Sequence, residues 1–219
     1  MNSRAFLLQL DDLTRGVLFG LDNLELVEAE SGNNMDVAHL LKIALKNEIE
    51  AAEIAALWIG STPEVDVKLG LARQAGDEAK HYRLIEKRLE SMGVSLADFH
   101  PLSAGYSPMF QFLKSLDGTV PRLAAGQYTR ERVAMERNEQ FIRFCEIRGD
   151  RETARLYREI IQPDETYHHQ LGRSMLEKYA TEDAVQEAAR QAALRTLQIA
   201  EELRGLAEKK LGIPQIPGC

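Results

Sequence analysis

The chain has 219 residues, 44% of them hydrophobic and 28% charged, which is long enough for one domain with a sizeable core and ordinary for a globular protein. A net charge of −7 and the scarcity of basic clusters argue against nucleic acid as a general partner, although a small basic patch still leaves room for one. Cys145 and Cys219 are the only cysteines, so neither a disulfide framework nor a Cys-based metal site can be built, which fits a reducing cytoplasm.

The start, MNSRAFLLQLDDLTRG, has a short apolar run that meets Asp11 and Asp12, which a secretory h-region does not tolerate. No window approaches the roughly 18 continuous apolar residues of a membrane span. Apolar spacing is helical throughout, so the fold is expected to be all-α. A first helix is predicted over roughly residues 4 to 19, and a polar connection ends in SGNN, with Asn34 or Asp36 as the next cap.

The second helix is predicted over about 36 to 60, stopping at Gly60, and the third from Pro63 to about 92, before Gly93. The next stretch, VSLADFHPLSAGYSPMFQFLKSLDG, holds prolines, glycines and one short apolar run, and reads as a crossover. Two more helices follow, over about 119 to 148 and 151 to 180, separated only by Gly149-Asp150 and therefore antiparallel neighbours. A last helix, about 182 to 211, carries an apolar stripe with Val185, Ala189, Leu203 and Leu206, which either covers the bundle or meets a second subunit as a homodimer. The expectation is a single domain over 1–219: a four-helix bundle of two antiparallel hairpins over about 36–180, with N- and C-terminal helices, 181–219 being the last helix and tail.

Each hairpin carries one copy of a motif on its second helix. GDEAKH contains Asp77, Glu78 and His81, and PDETYH contains Asp164, Glu165 and His168. Chance supplies about 0.5 plain Glu-x-x-His matches in this composition but only ~0.03 with Asp directly ahead, so two such matches demand a structural reason. Glu and His three apart share a helix face and can bind one metal, and two hairpins would place two such pairs about a two-fold axis.

Helical phase selects the remaining carboxylates. Val37, Leu40, Leu41, Ala44, Ala51, Ala55 and Trp58 form one stripe with Glu48 near its centre, whereas Glu50 points away and Glu53 lies off it, both reading as solvated surface near Lys46. In the next hairpin Leu123, Ala124, Tyr128, Met135, Ile142 and Cys145 centre on Glu131, while its competitor Glu136 falls among Arg132, Gln140 and Arg143. Four inward carboxylates are costly without cations, and two divalent ions would cancel their charge. The donor set Glu48, Glu78, His81, Glu131, Glu165 and His168 suits two iron ions, with manganese or a mixed Fe/Mn pair as alternatives, better than zinc.

Bland readings stand beside these. Asp77 and Asp164 either accept the free N–H of a ligand histidine or lie on the surface. His169 sits about 100° from His168 and is not placed as a ligand; His39 and His100 lack partners at ligand spacing. Tyr82 and Tyr167 pack beside the histidines, Cys145 reads as core, and Pro163 should kink or bulge its helix just before Glu165.

On Glu48, Glu78-x-x-His81, Glu131 and Glu165-x-x-His168, residues 36 to 180 resemble the ferritin-like di-iron carboxylate superfamily, whose ligand pattern is a known one. GDEAKHYRLIEKRL, ARLYREII, the crossover and the extra C-terminal helix look most like its tRNA-hydroxylating, non-haem di-iron monooxygenase branch. The resemblance implies a non-haem dinuclear-iron oxygenase that activates O₂ to oxidise a small-molecule or other substrate, with a tRNA left open and electrons from an external donor. A ferroxidase or iron-storage role would use the same ligands, a rubrerythrin-like peroxide reductase would normally add a Cys module, and a metal-free scaffold would not need the intact set.

Overall fold

The computed structural model describes residues 1–18 and 36–211. The connection through Asn34, the tail from 212 to Cys219 and the side chain of Leu206 lie outside what it describes. Seven helices and no strand occur among the described residues, an all-α bundle. None of the described helices is long and apolar enough to cross a membrane.

Helix α1 spans Ser3–Leu18 and buries Phe6, Leu7, Leu10 and Thr14, residues spaced to share one face. Helix α2, Val37–Ser61, begins at Asp36, whose carboxylate accepts from Ala38 N at 3.1 Å, and α3 spans Val65–Ser91 after a three-residue turn. At the end of α3, Gly93 adopts φ 76°, and Val94 N returns to Leu89 O at 3.0 Å, closing the last carbonyls. The short apolar run in the crossover is itself a helix, α4 (Pro108–Ser115), capped by Ser107 Oγ accepting from Phe110 N at 3.1 Å.

Helix α5 covers 119–147 and α6 covers 151–179. Both are interrupted by π-helical turns, Ala124–Arg130 in α5 and Tyr157–Ile161 in α6. The α6 turn sits just ahead of Pro163, as the proline predicts, because the missing N–H relaxes the local ladder. Between α5 and α6, Asp150 caps Thr153 and is gripped by Arg88 of α3 at 2.8 Å. Helix α7, Asp183–Leu211, lies over α1, α4 and the π-turn of α5, burying Ala189, Ala192, Ala193, Leu197 and Ala200, so its stripe covers the bundle.

The apolar core falls into two clusters. One takes Ile54 and Trp58 of α2, Leu71 of α3, Tyr128 of α5 and Leu176 of α6, together with α1, α4 and α7. The other takes Leu41 and Leu45, Ile85 and Leu89, Ile142 and Cys145, and Tyr157 and Ile161. On every bundle helix the predicted metal ligands lie in sequence between these two sets, so a polar layer crosses the bundle between two dry ends. Cys145 is fully buried in the second cluster, as its phase predicts.

Glycine allows the closest approach near that layer. A Cβ on Gly172 of α6 would stand 2.7 Å from the carbonyl carbon of Gln127 and 2.8 Å from Tyr128 N, both backbone atoms of the α5 π-turn. Gly172→Ala is therefore expected to cost about 2 kcal/mol and lower Tm by roughly 4 to 8 °C in thermal unfolding followed by circular dichroism. An unchanged Tm would contradict this contact.

Candidate metal centre

All six residues selected from the sequence meet in the polar layer, and all are buried. Ligand atoms of Glu48, Glu78, His81 and Glu165 lie within 4.8 Å of one another, as do those of Glu78, Glu131, Glu165 and His168. The two quartets share Glu78 and Glu165. Glu48 and Glu131 each belong to one quartet only, so the shared carboxylates come from the two Asp-Glu-x-x-His motifs rather than from the first helices of the hairpins.

Both imidazoles turn Nδ1 inward. His81 Nδ1 lies 3.4 Å from Glu48 Oε2 and 3.3 Å from Glu78 Oε2. His168 Nδ1 lies 3.6 Å from Glu78 Oε1 and 3.4 Å from Glu165 Oε2, buried and without a hydrogen bond. A buried nitrogen left in that condition, facing carboxylates, fits a cation between them.

The outer nitrogens are held crosswise. His81 Nε2 stands 3.1 Å from Asp164, and His168 Nε2 stands 3.2 Å from Asp77. Each aspartate thus supports the histidine of the other hairpin rather than the one that follows it in sequence. The reason is geometric: Asp and His four apart on one helix share a side, but the ring reaches across the α3 and α6 interface. Lys80 grips Asp164 at 2.5 Å and Arg73 meets Asp77 at 3.3 Å, which orients both carboxylates.

Burial raises the Glu48 carboxyl to about 7, His81 pulling the other way, and raises Glu165 well above the usual range, with Glu78 and Glu131 adding repulsion. Burial also opposes charge on Glu78, but the hydrogen bond from His81 and the positive charges of His168, His81 and Arg130 outweigh it and hold Glu78 down to about 2. Burial alone would depress His81; its contacts with Glu48 and Glu78 lift it to about 11 instead.

Several residues around the site were not selected from the sequence. Gln74 donates to Glu131 at 2.7 Å and to Glu78 at 3.3 Å, and accepts from Gln127 at 2.8 Å. Arg130, buried in the π-turn, places Nη1 3.4 Å from Glu131. The available signal was position: Gln74 and Gln127 lie one turn before Glu78 and Glu131 on the same stripe.

Glu136 pairs with Arg132 at 3.5 Å, away from the cluster that includes Glu131; Gln140, one turn on from Glu136, is buried. Glu50 departs from expectation. It is only 7% exposed and accepts from Ser107 N at 2.8 Å and Ser107 Oγ at 2.5 Å, because the crossover folds over that side of α2. Glu53 likewise accepts from Tyr106 OH at 2.7 Å. His169 bonds the Tyr128 carbonyl at 2.8 Å, outside both quartets, and His39 and His100 are exposed. Tyr82 packs against the second apolar cluster, and Tyr167 lies beneath the Arg73 guanidinium at 3.3 Å.

No family model matches the chain, and no curated protein or solved structure is significantly similar to it. The buried Glu/His layer, which could hold a metal ion, therefore carries the functional reading.

Two outcomes follow from this geometry. In a His81→Ala background, Asp77→Asn should weaken Co(II) binding at the His168 quartet by ~10–100-fold while Asp164→Asn leaves it near the parent value; equal effects in an optical titration would contradict the crossed pairs. Because Glu48, held up to about 7, and His81, held up to about 11, both carry protons at pH 6.5 in the metal-free layer, metal must displace them. Calorimetry in buffers of different ionisation enthalpy should find more than one proton released per chain at pH 6.5, and metal affinity should rise with pH.

Proposed function

We propose that the protein is a ferritin-like, non-haem dinuclear-iron oxygenase that uses O₂ to oxidise an organic substrate. The observation that carries this reading is the pair of overlapping quartets that share Glu78 and Glu165. Two separate mononuclear sites would not need common carboxylates, whereas a dinuclear centre does.

In this reading Glu48 and His81 would hold one ion and Glu131 and His168 the other, with Glu78 and Glu165, common to both quartets, available to either. Four carboxylates and two imidazoles match two divalent ions in charge and suit iron, with manganese as the nearest competitor. Bound iron supplies the redox chemistry and the Lewis acidity for O₂ reduction. The chain supplies everything else. Asp164 and Asp77 fix the imidazole tautomers so that Nδ1 faces inward. Gln74 orients Glu131 and Glu78, and the apolar clusters on either side keep the layer dry, which strengthens each electrostatic contact within it. Electrons for turnover come from an external donor, and the substrate class is left to the pocket beside the centre.

Anaerobic titration with ferrous iron should load two ions per chain, and admission of O₂ should consume it in proportion to bound iron. His81→Ala with His168→Ala should abolish both, whereas Glu136→Ala should change neither. Loading below about one ion per chain, measured by metal analysis after desalting, would overturn the proposal.

A further inference from the structure

The six residues of the buried layer are at most 2% exposed, and the two apolar clusters close the bundle above and below them, so an ion reaches them only through one of the bundle's four sides. Three sides are closed by packing. Helices α2 and α3 lie against each other along their length. Between α3 and α6, Leu171 comes within 2.5 Å of where a Cβ on Gly70 would stand, and Lys80 ties Asp164 to α3; between α5 and α6, Gly172 sits on the Gln127 backbone. The fourth side, between α2 and α5, holds a recess lined by Asn47, Glu50 and Ala51 of α2, Ser107 and Phe110 at the start of α4, and Arg130 of α5. It narrows to an enclosed space of about 10 Å³, room for one water, and Arg130 in its wall lies 3.4 Å from Glu131.

A divalent ion in water carries a shell of about six oxygens, which an opening for one water does not pass. The recess must therefore widen, and residues 100–107 are the part of its rim able to move. None of them is buried. The chain is anchored on both sides of this segment, by Leu96 and Phe99 against the second apolar cluster and by Met109 and Phe110 in the first. Between those anchors three polar clasps hold it to α2. Lys46 Nζ donates to Gly105 O at 2.6 Å, Tyr106 OH donates to Glu53 at 2.7 Å, and Ser107 N and Oγ donate to Glu50 at 2.8 and 2.5 Å. Lys46, Glu50 and Glu53 share one strip of α2, and Gly105, at φ 78°, turns in a conformation that favours glycine. A segment fixed by side-chain hydrogen bonds, with no buried residue of its own, belongs to the low-stability end of a protein.

We infer that residues 100–107 are a hinged strap that gates the centre. Release from Lys46, Glu50 and Glu53 separates Ser107 from Glu50 across the recess and opens the passage toward Glu48 and Glu131 through which metal enters and leaves. The inference deepens the proposed function by naming the route into that centre, and it rests on that reading for the ion that passes. A gate changes entry and exit together, so it acts on rates and leaves the affinity where it was.

Lys46→Met with Tyr106→Phe removes two clasps and touches no residue of the buried layer. Co(II) uptake in a stopped-flow instrument, and its release to EDTA, should both accelerate about ten-fold in this variant with Kd unchanged. Glu53→Cys with Tyr106→Cys, joined by a phenylene bis-maleimide in a Cys219→Ser background that leaves only the buried Cys145, should slow both by about ten-fold. In the metal-free protein, hydrogen exchange read by mass spectrometry should be faster over 100–107 than over α2, and Lys46→Met with Tyr106→Phe should speed it further while α2 and α3 keep their wild-type rates. If no metal binds, the proposed centre fails, and the exchange measurement alone decides whether the strap opens. Uptake that ignores both the lost clasps and the cross-link, a Kd that moves with the rates, or exchange over 100–107 no faster than over α2 would overturn the inference.

Discussion

Four carboxylates packed into one buried layer are the constraint on which the remainder of this structure depends. Glu48, Glu78, Glu131 and Glu165 come from four different helices, and like charges in a dry interior repel one another unless protons, imidazoles or cations intervene. The two apolar clusters on either side must therefore be stable enough to hold the bundle closed around an unfavourable centre. Gln74 and Arg130 reduce the mismatch by giving the carboxylate oxygens defined partners, while Gln127 holds Gln74 and the crossed aspartates hold the imidazoles.

The same constraint accounts for the irregular backbone. In α5, the N–H of Glu131 bonds to Gly126 O five residues back, and in α6 the N–H of Gln162 bonds to Tyr157 O five residues back. Each wide turn precedes a carboxylate of the buried layer, Glu131 or Glu165, and changes the phase with which it enters. The α5 turn is buried along its whole length between α6 and α7, and Gly126 and Gly172 permit that packing by letting Trp58 and the Gln127 backbone approach where a methyl group would stand.

Much of this was legible in the sequence because it follows from periodicity. The helix limits, the inward phase of Glu48 and Glu131, and the irregularity ahead of Pro163 come from one-dimensional spacing, and the structure places them accordingly. What periodicity could not reach depends on which helices touch. Glu50 read as surface because its own helix leaves it outside the stripe, yet the crossover covers it; the α5 π-turn has no proline to announce it; and the partner of each aspartate lies on the other hairpin. Those are tertiary facts, set by docking rather than by local sequence.

The crossed pairing also bears on how such a bundle comes together. Each quartet takes three residues from one hairpin and the fourth from the other, and each histidine is oriented by an aspartate of the opposite hairpin. A hairpin alone holds an incomplete set of donors around a misaligned ring, so the site does not exist until the two halves have docked. Docking and site formation are consequently a single event, and two copies of one such hairpin, related by a two-fold axis, would satisfy the same geometry that this chain achieves with its internal repeat.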